Sequence, residues 1–194
     1  MLTVIAIVVI LATFAVLGFV ATSQQRDVTD AYNSTLMTLR RGHDQAQNDM
    51  RIYVATFTAP GTITVAQSGA ITCQTPPTGP VLLTTMLPSD ITFHVEPGVP
   101  TSNVNAPLTP DQFGTAAAAI DLDIANGFAG VQTVCFFPDG TAQDTQGNPS
   151  SGVVYLGLPG NLYTSRAITL WGATGRLRGW QLLNVSGVNQ WIQL

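Results

Sequence analysis

Hydrophobic side chains fill the start of the chain, MLTVIAIVVILATFAVLGFVAT, and the first charged residue is Arg26. At about 1.5 Å of rise per residue, some 20 helical residues span roughly 30 Å, the hydrocarbon core of a bilayer. Lipid offers the backbone no hydrogen-bond partners, so a lone apolar segment there must be a helix. Residues 1–22 are therefore expected to be the transmembrane half of an N-terminal helix, with a domain outside the bilayer behind it. A cleaved signal peptide competes with this reading, but the basic n-region is missing and the apolar run is long. A buried core helix is the other alternative, and such helices rarely lack polar residues for so long.

From Ser23 the pattern becomes one-sided. Val28, Tyr32, Leu36, Leu39, His43, Ala46 and Met50 recur every three or four residues, with Arg26, Asp30, Arg40, Arg41 and Asp44 between them. No proline precedes Pro60. One continuous helix is expected from Met1 to about Tyr53, close to 80 Å long at ~1.5 Å per residue, with residues 23–53 as its amphipathic half. The stripe needs a covering surface. Its last turns are expected in the concave face of an antiparallel sheet, with Leu36 and Leu39 buried and Arg40 and Asp44 exposed. Gly42 is a weak point, costing up to ~1 kcal/mol. His43 reads as a helix-face residue, since no Cys, Asp or Glu has metal-ligand spacing with it.

Over residues 54–194 the period is two and turn residues are frequent, which predicts a β-rich domain. Residues 52–57 and 62–66 flank Ala59-Pro60-Gly61 and read as a hairpin. Ile71 to Cys73 is a candidate continuation of the sheet. Residues 91–95 alternate as a strand that turns His94 to solvent. Residues 97–115 read as an irregular loop and residues 116–124 as ambiguous. Strands are expected over 131–137 and 152–158, then a final hairpin of 166–171 and 179–185 around Ala173-Thr174-Gly175. The fold class is α+β, a long helix packed on a mainly antiparallel sheet.

Composition narrows the function. Charged residues are 9% of the chain, all seven basic residues are Arg, and the net charge is −4. That argues against a general nucleic-acid-coating surface while leaving room for a small basic site. Cys73 and Cys135 are the two cysteines. Without a CxxC they disfavour zinc. In an oxidising compartment they would form one disulfide; the alternative is two separate buried thiols. Asp139, Asp144 and Asn148 fall in DGTAQDTQGN, where calcium-loop spacing fails and a turn-rich loop is the plainer reading. Asp121 and Asp123 share a face if extended, yet no nucleophile accompanies them. No catalytic residue, metal site or cofactor is expected, and no enzyme. Asn33-Ser34-Thr35 and Asn184-Val185-Ser186 match a glycosylation sequon that a bacterial source would make irrelevant.

Several stretches resemble a known family. Val4-Ile5-Ala6-Ile7, Ile10-Leu11-Ala12, Ala15-Val16 and Phe19 resemble the N-terminal core of type IV pilins and type II secretion pseudopilins, with Leu17 where many members have proline. Leu36 to Arg51 resembles the segment that follows in minor pseudopilins. Phe136-Phe137-Pro138-Asp139-Gly140, Ile168-Thr169-Leu170 and Gly175-Arg176-Leu177-Arg178 resemble the strand-and-turn and closing hairpin of the GspH/FimT group. The resemblance touches about half the chain. It implies a pilin-like fold and a minor pseudopilin, a structural subunit of the type II secretion pseudopilus that aids protein export. It also implies a single-pass inner-membrane protein with its β-domain in the periplasm. Val4, Ile5, Ala6, Ile7, Ile10 and Leu11 would pack against the helices of other pseudopilins or pilins. Family precursors carry a basic leader, a cleavage site and a glutamate early in the mature helix. In the best register that glutamate directly precedes Met1, or Ile5 stands in its place.

Arg176 and Arg178 are two apart, so on a strand they share a face. One reading is a phosphate-contacting pair, as in FimT-type minor pilins that bind DNA during uptake. The other is a hairpin pair salt-bridged to nearby Asp residues, which the net charge favours. A third class is an unrelated membrane-anchored β-domain that binds a ligand, for which loops such as residues 97–110 are suited.

Overall fold

The computed structural model describes residues 2–101, 108–122 and 132–194; for residues 2–22 it describes the backbone alone. The chain is α+β, one N-terminal helix and two antiparallel sheets. Helix α1 runs Leu2–Asp49, 48 residues, or about 72 Å. The expected end near Tyr53 is four residues too late. Met50 takes a left-handed φ of 54° and Arg51 N–H donates to Ala46 C=O at 3.2 Å, the helix-ending pattern that glycine usually serves. Asp49 then accepts from Gln45 Nε2 at 2.8 Å and Tyr53 Oη at 2.6 Å, tying the helix end to the first strand. Among the described residues no helix is long and apolar enough to cross a membrane. The side chains of residues 1–22, including Val4, Ile5, Ala6, Ile7, Ile10 and Leu11, lie outside the described set, so the assembly role assigned to them is untouched by that statement.

The strands are β1 (Tyr53–Thr58), β2 (Thr62–Gln67), β3 (Val81–Met86), β4 (Ile120–Leu122) and β5 (Thr133–Phe136), then β6 (Ala142–Gln143), β7 (Gly152–Leu156), β8 (Arg166–Trp171), β9 (Arg176–Val185) and β10 (Val188–Gln193). Where one sheet was expected there are two five-stranded ones. The first has the order β3-β2-β1-β5-β6 and the second β10-β9-β8-β7-β4. The expected hairpins β1–β2 and β8–β9 form, but β9 starts at Arg176, so both arginines are already in the strand. Ile71 to Cys73 does not extend the sheet; it lies in a loop with Ile71 fully exposed. Residues 91–95 make one bridge, Thr92 to Gly157, rather than a strand. Even so, Ile91 and Phe93 are buried, while His94 is half exposed and meets Glu96 Oε2 at 2.6 Å.

The second half of α1 packs on both sheets. Val28, Tyr32, Leu36, Leu39 and Ala46 join Tyr53, Phe57, Ile63, Val65 and Phe136 of the first sheet and Val154, Leu156, Ile168 and Leu170 of the second in one core. Arg40 and Asp44 are exposed, whereas Met50, expected on the stripe, is also exposed. Gly42 is also a point of close approach, since a Cβ there would stand 3.0 Å from Val65 Cγ1. His43 bridges the sheets. Its Nε2 reaches Gly140 C=O in the turn after β5 at 3.0 Å, so that nitrogen carries the proton, and its ring meets Phe136 edge-on. Arg166 is buried beneath the helix beside Tyr32 and donates to the Thr164 and Ser165 carbonyls, both at 3.3 Å. Burial pulls its pKa down, with Tyr32 opposing.

Candidate functional site

Each sheet also has an outer face, and a loop covers each. On the first sheet, Val54 and Cys135 stand directly opposite each other and turn outward. There Cys135 is bonded to Cys73, with Cα atoms 5.8 Å apart. Ile52, Val54 and Phe137 pack around the disulfide. Of the two sequence readings for the cysteines, the bonded one holds.

The outer face of the second sheet is built differently. Alternation along the strands places Val153, Tyr155, Ala167, Thr169, Arg178, Trp180, Leu182 and Trp191 on it. Val99 and Ala116, from the segments on either side of residues 102–107, close over Val153, Tyr155, Ala167 and Leu182. Burial pushes the Tyr155 hydroxyl far up, and Asp121 adds to it. Asp121 is itself buried on β4, and Asp123 lies outside the described residues.

The loop is held by Asp111, in a single 3-10 turn at Pro110–Gln112. Asp111 Oδ1 accepts from Arg178 Nη1 at 2.8 Å. Its Oδ2 accepts from Thr169 Oγ1 at 2.5 Å and from Trp171 Nε1 at 3.2 Å. Thr169 Oγ1 in turn accepts from Trp180 Nε1 at 3.1 Å. The Arg178 guanidinium also lies 5.6 Å from the centre of the Trp171 ring, a cation–π distance. Asp111 and Gln112 both hold positive φ, 52° and 64°. For residues with a Cβ that geometry costs of order 1 kcal/mol each, sustained by the contacts around it. The loop, β8, β9 and β10 enclose an open cleft of about 600 Å³ that includes Pro110, Asp111, Trp171, Trp180 and Trp191 in its walls.

Gly175, Arg176 and Arg178 do not form one site. Gly175 takes φ 59° in the β8–β9 turn and seats against His43 and the Gly140 carbonyl, where a Cβ would collide with both. Arg176 is exposed and, among the described residues, makes no hydrogen bond or ion pair. Arg178 is engaged by Asp111, as the salt-bridge reading of the pair expects. In the DGTAQDTQGN loop, the carboxylates face amides. Asp139 accepts from Thr141 N–H and Oγ1 at 2.9 and 2.7 Å, and Asp144 from Gln146 and Asn148 N–H at 2.7 and 2.9 Å. The Thr141 bonds hold the Asp139 pKa down; for Asp144, burial works upward but the amide donors outweigh it. Sequence reasoning passed over the cleft. Its signal was the spacing of the chain's three tryptophans, 171, 180 and 191, on the closing strands. No family model, curated protein or solved structure matches this chain.

Proposed function

We propose that this chain is a minor pseudopilin of the GspH/FimT type, an inner-membrane-anchored subunit that assembles through its N-terminal helix into a pseudopilus and aids protein export. The observation that carries the reading is the division of α1. Its first 22 residues hold no charge, and its second half is the central rod of a two-sheet domain. A single helix serves as anchor and as core, which is a pilin-like arrangement. Beyond Gly179, where Tyr32 packs, the face of the β9–β10 hairpin shared by Leu183, Val185, Val188 and Ile192 is partly exposed. That apolar face supports packing against a neighbouring subunit. The DNA-uptake reading has less in its favour, because Arg178 is engaged and leaves Arg176 as its phosphate-seeking side chain, and phosphate contacts are individually weak.

The test is carried out on the full chain expressed in a bacterial host with a type II secretion system. Carbonate-washed membranes should retain it, and removal of residues 1–22 should release it. Single cysteines at Ile5 or Ile10 should crosslink to other pseudopilins when the system assembles. Full-length protein in the soluble fraction would overturn the anchor. Anchored protein with no crosslinks would leave the anchored binding domain as the better account.

A further inference from the structure

We propose that the groove between α1 and the free edge of β3 docks an extended, acidic segment of a partner protein, which adds a strand to the first sheet. None of the residues lining the groove belongs to residues 1–22 or to the β9–β10 hairpin, so its use does not depend on the filament reading.

The strand edge selects a polypeptide. β3 is the outermost strand of its sheet. Leu87 N–H donates to Gly61 C=O at 2.8 Å, and Thr85 and Thr84 stand opposite Ile63 and Thr64. Bonded pairs alternate along an antiparallel ladder, so Leu83, Thr85 and Leu87 turn their backbone groups to β2, and Thr84 and Met86 turn theirs outward. Among the described residues no strand pairs with that outward row. Open edges are usually blunted by charge, proline or a bulge. β3 holds no charge and no proline. Its one irregularity, with Leu82 as the extra residue opposite the step from Val65 to Ala66, leaves residues 83–86 in regular register. A row of unpaired N–H and C=O groups is matched by another extended backbone. A lipid headgroup or a nucleic acid offers no such row.

The groove sets what the added strand carries. It encloses about 640 Å³, and its lining includes Met37, Thr38, Arg40, Arg41 and Asp44 of α1 and Leu83 of β3. Thr38 Oγ1 and Thr85 Oγ1 are 2.7 Å apart, a bond that ties helix to strand and sets the walls before anything binds. In an added strand every second side chain would share the face of Leu83 and Thr85 and point towards α1. There Met37, 62% exposed, offers an adaptable apolar contact. Arg40 and Arg41 are exposed and make no hydrogen bond or ion pair among the described residues. One acid in the lining, Asp44, stands against these two cations. In a chain of net charge −4 this is a locally positive site, complementary to Asp or Glu at the groove-facing positions. A second copy of the chain fits poorly, because neither β3 nor β10, the two longer edge strands, has an acidic residue.

The test pans displayed random heptapeptides on the full chain in detergent and measures the enriched peptides by fluorescence anisotropy. They should carry Asp or Glu in alternation with apolar residues. Arg40→Gln with Arg41→Gln should weaken binding about tenfold at an unchanged unfolding midpoint, since both side chains are exposed. Thr84→Pro should weaken it by as much or more, because it removes an outward N–H that β2 does not use. Peptides N-methylated at successive positions make the same test on the wild-type protein, and losses should fall on alternate positions, so a Thr84→Pro chain that fails to fold leaves the question decided. Four results would overturn the proposal. One is no enrichment of any peptide, and another is enrichment of basic or uncharged ones. The third is binding that the arginine changes or N-methylation leave intact. The fourth is occupation of the groove by a duplex oligonucleotide that displaces the peptides, or by a second copy of the chain seen as self-association lost in Thr84→Pro.

Discussion

The two sheets share a helix and an inner core, but they hold their outer loops by different means. The first uses a covalent bond, Cys73 to Cys135, buried among Ile52, Val54 and Phe137. The second uses a carboxylate, Asp111, that gathers Arg178, Thr169 and Trp171. A disulfide needs only two sulfurs, so the side chains packed around it are free to be apolar. The polar clamp gathers three donors, Arg178 Nη1, Thr169 Oγ1 and Trp171 Nε1, on the two oxygens of one carboxylate. One of those donors, Trp171, also lines the cleft, as does Asp111 itself. The difference is between a loop fastened by a bond inside an apolar cluster and a loop fastened by polar contacts to the strands it covers.

Four variants break or sharpen that contrast, given from the largest expected effect to the smallest. Leu39 is 2% exposed in the core common to both sheets. Leu39→Asp should cost about 5 kcal/mol, because it buries an unpartnered charge, and should loosen both sheets together. Chemical denaturation of the full chain in detergent would read this; an unchanged midpoint would mean the helix is not the shared support. Removing the disulfide by Cys73→Ser with Cys135→Ser should cost roughly 4 kcal/mol in the chain-entropy model, given a separation of 62 residues. Native tryptophan emission should stay the same, since the bond belongs to the other sheet. A shifted emission spectrum would show that the two outer faces are coupled. Thiol labelling of denatured, unreduced protein should find no free cysteine.

Asp111→Ala should cost about 2 kcal/mol, less than the loss of a fully buried pair because the Arg178 side chain is 26% exposed. Unlike the disulfide change, it should shift tryptophan emission, and retention of the wild-type spectrum would argue against the clamp. The smallest effect is acid sensitivity in the first sheet. The Asp144 carboxyl is held below its usual range in the folded protein. Its stabilisation is therefore fully present above the unfolded value of about 3.9 and is lost as pH falls through the lower folded value. Stability measured below about pH 4 should fall less steeply in Asp144→Asn than in the parent protein. Equal slopes would place the acid sensitivity elsewhere.

Periodicity made much of this fold readable. The stripe through Val28, Leu36 and Leu39, the turn at Pro60 and the hairpin that opens with residues 166–171 each follow from local chemistry, and each is found. The helix end was hidden because Met50, not glycine, takes the left-handed position. Strand β10 was legible but unread. Ser186-Gly187 has positive φ at both residues, 53° and 86°, and joins two alternating runs, the pattern of a tight hairpin turn. The split into two sheets was not legible. Strand order depends on which inward faces meet the helix, and no local residue records that. The cleft lay beyond pattern reading for the same reason. Asp111 and Arg178 are 67 residues apart, and only the folded register brings them within 2.8 Å.

The helix has a mechanical consequence. Its buried contacts run from Val28 to Ala46, some 27 Å along the axis at ~1.5 Å per residue. A pull along that axis loads the contacts in parallel, as shear, rather than peeling them one by one. At the far end the chain reverses through Met50, and Tyr53 holds Asp49 across the reversal. Tension entering at the amino terminus is thus shared between two sheets before it reaches any single turn, and the domain behaves as a sleeve gripping a rod.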